Sequence, residues 1–254
     1  MAGVSPAAPV VSNGAVSNGV VSNGAVSGGA VELSCAGLSV RAINAALREL
    51  PDRTTVRLTE ARGQHNLAVG LSARLDITIC GNAGYFTGGL GDGPDITVEG
   101  FTGWSAGENL MSGTLRVRGN ASESAGCSAR GGLIVIEGDA SSRTGISLKG
   151  GTIAVAGDVG HMSGFMAQAG TMLIGGDAGD SLGDSLYEAV IYVAGKIRSL
   201  GSDARVEELT AEDVARVREL AAAAGFGPIR AEDVTKVGSA RTLYRFDALK
   251  DQRY

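Results

Sequence analysis

Short apolar alternations recur through the middle of the chain at a constant step. The segments ITICG, ITVEG, LRVRG, IVIEG, IAVAG, MLIGG and IYVAG end at Gly81, Gly100, Gly119, Gly138, Gly157, Gly176 and Gly195, each 19 residues after the last. Two columns within them stay aliphatic. One is Ile77, Ile96, Leu115, Ile134, Ile153, Met172 and Ile191; the other, two residues on, is Ile79, Val98, Val117, Ile136, Val155, Ile174 and Val193. The residue between them varies without pattern, as Thr78, Thr97, Arg116, Val135, Ala154, Leu173 and Tyr192. A period of two over so short a run means β-strand, with the constant columns inward and the variable one outward.

The glycines keep the same step. Gly88, Gly107, Gly126, Gly145, Gly164 and Gly183 form a second ladder, and Gly113, Gly132, Gly151 and Gly170 a third. Such positions suit corners that need positive φ or close backbone approach. A further column, Leu110, Ala129, Leu148, Ala167 and Leu186, alternates large and small, as a narrow interior with interdigitating coils requires. Units of 19 residues with a strand in constant register describe stacked coils, each strand pairing with its equivalent one turn on. Leucine-rich repeats lack this pattern and helical repeats need about 30 residues per unit or more. The expected fold is all-β: a single-stranded, right-handed parallel β-helix of about seven 19-residue coils with flanking α-helices.

Outside the repeat the period changes. Val40, Ile43, Ala46, Leu47 and Leu50 give one apolar face to a helix over about 39–50, with Ser39 as N-cap and Pro51 as stop. A second helix over about 211–224 starts at Thr210 and Asp213, which have capping-box spacing with the shorter acid. It ends at Gly225, a left-handed C-terminal position. Both helices stand where end caps are needed. The run Leu243-Tyr244-Arg245-Phe246 suits a short strand. Residues 11–30 repeat VSNGA, VSNGV, VSNGA and VSGGA, uncharged and free of aromatics, and read as a disordered low-complexity leader. The expected organisation is a leader over 1–31, an N-terminal helix and first coil or cap over 32–75, the β-helix over 76–202, and a C-terminal helix and tail over 203–254.

Composition narrows the function. Glycine supplies 40 of 254 residues, about twice its usual share of ~7%, yet no Gly-X-Y register runs and prolines number 5, so collagen is excluded. A net charge of −5 argues against a nucleic-acid footprint. No apolar run approaches the ~18 residues of a membrane span. The three cysteines do not make a disulfide framework, and the first basic residue is Arg41, without a secretory n-region before it. A cytoplasmic protein is expected.

No constellation for chemistry emerges. His65 and His161 stand without a ligand cluster, so turn or interface hydrogen bonding is their expected role. Cys35, Cys80 and Cys127 are too few for an iron–sulfur cluster, which takes four. No phosphate loop of the G-x-x-x-x-G-K-[ST] type occurs. Asn82, Asn120, Asp139, Asp158 and Asp177 share a column after the strand glycine, where Asn and Asp interchange as side-chain acceptors of backbone N–H groups at a turn. Catalytic, cofactor-binding and metal-binding residues are therefore expected to be none. With 4% aromatics and one Trp, a polysaccharide-acting β-helix, which needs an aromatic-lined groove or paired carboxylates, is disfavoured. An ice-binding solenoid would need flat outward Thr ladders, which the variable column does not supply. Met111, Arg130, Lys149, Gln168 and Tyr187 form one column beside the inward Leu/Ala ladder, and so face outward.

Several phrases carry a resemblance. Arg62-Gly-Gln-His-Asn66, Met111-Ser-Gly113, Arg130-Gly-Gly132, Lys149-Gly-Gly151, Gly160-His-Met-Ser-Gly-Phe-Met-Ala-Gln168 and Gly183-Asp-Ser-Leu-Tyr187 resemble the GXGXG domain at the C-terminus of the glutamate synthase large subunit. The stretch Lys236–Tyr244 is similar to the stand-alone small subunit of N-methylglutamate synthase-like enzymes, and the resemblance covers about 32–250. It implies a non-catalytic subunit that holds a glutaminase-type amidotransferase subunit and an FMN-binding, glutamate synthase-like barrel subunit together. FMN and an iron–sulfur cluster then belong to the barrel partner, with no cofactor on this chain. The resemblance places the partner interface at Met111, Arg130, Lys149, His161, Gln168 and Tyr187. The nearest alternatives are a scaffold like the related subunit of formylmethanofuran dehydrogenase and an orphan structural β-helix.

Overall fold

The computed structural model describes residues 24–27, 30–227 and 229–241. Its strands form one sheet: β1 (Gly24–Ser27), β2 (Ala30–Ser34), β3 (Thr55–Thr59), β4 (Asp76–Ile79), β5 (Asp92–Val98), β6 (Ser112–Val117), β7 (Leu133–Ile136), β8 (Lys149–Val155), β9 (Ala169–Ile174), β10 (Val190–Val193), β11 (Ala204–Glu207) and β12 (Thr235–Ser239). Helix α1 (Val40–Arg48) lies between β2 and β3, and α2 (Ala211–Ala224) between β11 and β12. From β2 to β10 every neighbour is parallel, and from β4 onward each rung advances by the step of the repeat, as Ile77 to Ile96 to Leu115. This is a parallel β-helix. Both expected inward columns are buried along their whole length, because a strand whose two faces look inward and outward must bury its constant aliphatic side.

Two rungs precede the regular ones. Val31 pairs with Val56 and Val56 with Ile77, both longer steps than that of the repeat, so the stack begins before the regular register does. The extra length of the first step holds α1. Its Ser39 side chain accepts from the Ala42 N–H, and Ile43 and Leu47 enter the core with no exposed surface. The Arg48 guanidinium donates to the Val69 and Gly70 carbonyls, fixing the helix to the next corner. Gly24–Ser27, within the stretch expected to be leader, pairs antiparallel with β2. Residues 1–23 and 28–29 and the run 243–246 lie outside the described residues.

Each corner stacks through backbone hydrogen bonds running both ways along the axis. The Phe86 N–H donates to the Trp104 carbonyl of the next coil, the Gly88 N–H to Leu67 of the previous one, and Leu90 to Glu108 of the next. Backbone φ is positive at all three residues of that corner, and the same holds one coil on at Ser105, Gly107 and Asn109. The ladder from Gly88 to Gly183 sits at φ 66–71° throughout, as its corner role requires.

The far end differs from expectation. Helix α2 does not cap the stack; it lies on the outer face of the sheet. The antiparallel strands β12 and β11 follow β10 and close that edge instead, with Val237 opposite Ile191. The variable outward column has a pattern after all. Val135, Ala154, Leu173 and Tyr192 are buried beneath Val217, Leu220, Ala221 and Ala224 in a second core. A helix of 14 residues spans about 21 Å, and the four rungs from Tyr192 back to Arg116 span about 19 Å, so one helix covers the apolar part of the column. Arg116, the first polar residue beyond it, donates to the Ala224 carbonyl at 2.9 Å and pairs with Glu137 at 3.0 Å. A cation at the last turn of α2 complements its dipole.

Candidate interaction surfaces

The β-helix places equivalent positions of successive coils in straight rows about 4.8 Å apart. Met111, Arg130, Lys149, Gln168 and Tyr187 make one such row. Their N–H groups donate to the Gly91, Leu110, Ala129, Leu148 and Ala167 carbonyls of the preceding coils. Lys149 is half-buried and the other four side chains are exposed. Tyr187, at the end, has one ring face occupied by the Arg241 guanidinium, 5.0 Å from the centroid, and Arg241 also pairs with Asp203. His161 does not join the row. It belongs to another corner, where its Nδ1 lies 3.1 Å from the Asp180 carbonyl.

That other corner carries an aromatic stack that the sequence reading missed. His65 and Tyr85 have ring centroids 4.2 Å apart, and Tyr85 and Trp104 are 5.1 Å apart at 10° between planes. The Tyr85 N–H also donates to His65 Nδ1 at 2.8 Å. Phe101 joins Tyr85 and Trp104 along a shallow groove of about 670 Å³ over Gly100, Gly103 and Gly119, and the exposed Phe86 follows Tyr85 in the chain. The single tryptophan, a tyrosine and two phenylalanines thus gather at one corner of a chain with few aromatics, whereas monomer surfaces usually scatter exposed apolar groups singly. The step from Tyr85 to Trp104 is the repeat itself, so the pair was open to sequence reading; His65 stands one position too far before Tyr85 and falls off the register.

The Asx column works between coils rather than within a turn. Asn82, Asn120, Asp139, Asp158 and Asp177 each accept, through Oδ1, the N–H of the residue 19 positions on, at 2.7–3.1 Å. This also explains the strand glycines: a Cβ at Gly157 would lie 2.1 Å from Asp139 Oδ1. Only an acceptor is needed, so Asp139→Asn should leave the denaturation midpoint unchanged. Asp139→Ala should cost about 1 kcal/mol by orphaning the Asp158 N–H. A fall of equal size in both variants, read by chemical denaturation, would show that the charge matters.

The thiols are shielded. Burial first, then the charges of Cys80 and Glu60, push Cys35 up to about 11. Burial likewise raises Cys80, beside Glu99, and Cys127. Thiols so raised carry little thiolate at neutral pH and are poor nucleophiles. Among the described residues no group of three His, Cys, Asp or Glu converges as a metal site, and no helix is long and apolar enough to cross a membrane.

Under α2 lies a network of a different kind. The Asp213 carboxylate accepts from the Thr210 N–H and hydroxyl, from the Tyr192 hydroxyl at 2.6 Å and from Lys236 Nζ at 3.0 Å. The Thr210 hydroxyl in turn accepts the Asp213 N–H, completing the expected capping box. The group is structural: it ties the start of α2 to β10 and β12.

No protein-family model matches the chain. Over 67 residues, 26% of this chain, it is 42% identical to Protein GlxC of Rhizobium meliloti (strain 1021). The match spans 29% of that protein, so the chain covers less than a third of the length of this curated relative.

Proposed function

We propose that this chain is a non-catalytic structural subunit of a glutamate synthase-like, flavin-dependent complex of the N-methylglutamate synthase type. Its role is to hold a glutaminase-type amidotransferase and an FMN-barrel subunit at a fixed separation. The observation that carries the reading is the straight row Met111, Arg130, Lys149, Gln168 and Tyr187, facing outward along five consecutive coils. Every phrase of the repeat region that resembles the glutamate synthase domain contains a member of this row. The partial likeness to Protein GlxC is consistent with the same kinship. A stack bonded rung to rung by its backbone is stiff, and a stiff spacer suits two active sites that must pass an intermediate between them. Flavin and cluster chemistry would reside on the barrel subunit, and nitrogen release from glutamine on the amidotransferase.

Co-purification of the tagged chain with candidate amidotransferase and flavin subunits tests the reading. The expected result is a yellow, active assembly that forms only with all three chains. Arg130→Glu with Lys149→Glu should then weaken assembly by about 10-fold to 1000-fold, while the melting curve of the isolated chain stays unchanged. Flavin bound to the chain purified alone would overturn the scaffold role, and so would full assembly of the double variant.

A further inference from the structure

The aromatic corner lies outside the Met111–Tyr187 row, and its groove is one-sided in hydrogen bonding. Phe101 interrupts the Asx column, standing one repeat after Asn82 and one before Asn120. Its N–H donates to Asn82 Oδ1, but its side chain offers the next coil no acceptor. Among the described residues the Asn120 N–H is therefore without a partner, and so is the Trp104 indole N–H. The acceptors beside them are spent. The carbonyls of Gly100, Phe101, Thr102, Gly119, Asn120 and Ala121 all accept rung-to-rung bonds, and Asn120 Oδ1 takes the Asp139 N–H. No charged side chain lines the groove. Its chemistry suits an occupant that is uncharged, apolar against Tyr85, Phe101 and Trp104, rich in acceptors and poor in donors.

A proline segment has that chemistry, since proline lacks an N–H and polyproline II leaves its carbonyls free. The chain carries one in Val4-Ser-Pro-Ala-Ala-Pro-Val-Val11, and no charged side chain precedes Glu32. From Pro6 to Pro9 polyproline II rises about 9.3 Å, and the two rungs from Asn82 to Asn120 span about 9.6 Å. The route to the groove is fixed at its near end. Strand β1 runs antiparallel to β2 with Gly24 opposite Leu33. The chain before Gly24 therefore leaves at the strand end from which each coil passes to the Asx column. Leu33 shares a column with Leu58, Ile79 and Val98, and Phe101 follows Val98 by three residues. Four rungs along the axis and three residues across put Phe101 about 20 Å from Gly24. A Gly/Ser-rich chain as long as residues 10–23 has an r.m.s. span of about 20 Å.

We propose that residues 4–11 of this same chain dock in the aromatic groove as a polyproline II segment. Pro6 and Pro9 would pack on the exposed rings of Phe101 and Trp104, and carbonyls of the segment would accept from the Asn120 N–H and the Trp104 indole N–H. Proline-rich segments use aromatic-lined grooves in this manner because the extended helix is preformed and loses little entropy on binding. The tether selects this occupant over a free peptide. A linker whose span matches the distance presents the segment at an effective concentration of about millimolar.

Trp104 is the sole tryptophan of the chain, so its emission reads this groove alone. In the full-length chain, Pro6→Ala with Pro9→Ala should red-shift that emission and raise its quenching by acrylamide. A capped peptide of residues 4–11 should then bind the double variant saturably and reverse the shift. It should bind the wild-type chain at least about tenfold more weakly, because the tethered segment competes for the same groove. Phe101→Asn separates docking from folding. It removes the ring and supplies the missing acceptor for the Asn120 N–H, so the melting temperature should hold or rise while the proline substitutions lose their effect on Trp104. Unchanged emission in the proline variant, or no saturable peptide binding to it, would overturn the proposal. So would a response to the proline substitutions that persists in Phe101→Asn. Equal peptide binding to wild type and proline variant would also overturn it, and would make the groove open to a partner's segment instead.

Discussion

Replacing Gly113 with valine should break the rod between β5 and β6, and its effect should be among the largest of any single substitution in the repeat. Gly113 sits at φ +86°, and a Cβ there would lie 2.2 Å from the Pro94 carbonyl oxygen and 2.9 Å from the Gly93 carbonyl carbon. These are backbone atoms of the preceding rung and cannot swing aside, so β6 must lift off β5. Backbone strain of about 1–3 kcal/mol and overpacking of about 1–3 kcal/mol add to a large part of the ~5–15 kcal/mol that holds a typical domain. Because a solenoid is stabilised by contacts between nearest neighbours, the loss should appear locally. Amide exchange should accelerate in β5 and β6 before it does in β9 and β10, and the denaturation midpoint should fall steeply. Gly37 supplies the control: it has φ +73° but no atom within 4 Å of a built Cβ, so Gly37→Ala should cost about 1–2 kcal/mol. If Gly113→Val proves no worse than Gly37→Ala, close approach between rungs is not what the third glycine ladder serves.

The same contrast explains what could be read from the sequence. The constant step is visible because parallel stacking forces chemically equivalent residues into one column, and burial forces the inward columns to stay aliphatic. That made Ile77 to Ile191 and Ile79 to Val193 legible, along with the glycine corners. The α2 boundaries were legible for a local reason, the Thr210–Asp213 box and the left-handed Gly225. What failed to show was whatever broke the step or depended on a distant segment. The rungs at Val31 and Val56 each stand further from the next than the repeat allows, so a search at its fixed step passes over them. Val135, Ala154, Leu173 and Tyr192 looked patternless because their partner is a helix far along the chain, and only the docked α2 shows why they are apolar while Thr78, Thr97 and Arg116 are not. Phe86, Ser105, Ser124, Arg143, Met162 and Ser181 all hold positive φ without being glycine. Rung-to-rung hydrogen bonds impose that conformation on whatever residue stands there.

Of the proposed partner row, the outward orientation of Met111, Arg130, Lys149 and Gln168 followed from their place beside the inward Leu/Ala ladder. The separation of His161 from that row, and the occupation of one Tyr187 face by Arg241, did not. Both depend on where a corner turns and where the chain returns after α2, which column arithmetic does not contain.

Asp213→Ala should release α2 from the sheet. The carboxylate satisfies four donors and is the partner of a Lys236 ammonium whose side chain is only 16% exposed. Its removal leaves that charge with Glu207 at 3.8 Å as its remaining counter-ion. Breaking a buried pair from one side costs about 3–5 kcal/mol, whereas Tyr192→Phe, which removes one hydrogen bond of the four, should cost about 1 kcal/mol. The pH dependence has a definite sign. Burial alone would raise the Asp213 carboxyl, but the bonds from Tyr192, Thr210 and Lys236 outweigh it and hold the group well below the usual carboxylate range. A group depressed in the folded state contributes fully above its unfolded value of about 4 and loses that contribution as pH falls toward the folded value. Wild-type α2 should therefore lose exchange protection as pH drops below about 4, ahead of the inner rungs, and Asp213→Asn should flatten that dependence. The Tyr192 phenol, pushed up by burial and then by the neighbouring Asp213 carboxylate, stays protonated and donating throughout this range. Amide exchange resolved over 211–224 reads the outcome. Unaltered protection in Asp213→Ala, or a gap between wild type and Asp213→Asn that stays constant from neutral pH into acid, would mean that the apolar contacts of Val217, Leu220 and Ala224 hold the helix without the network.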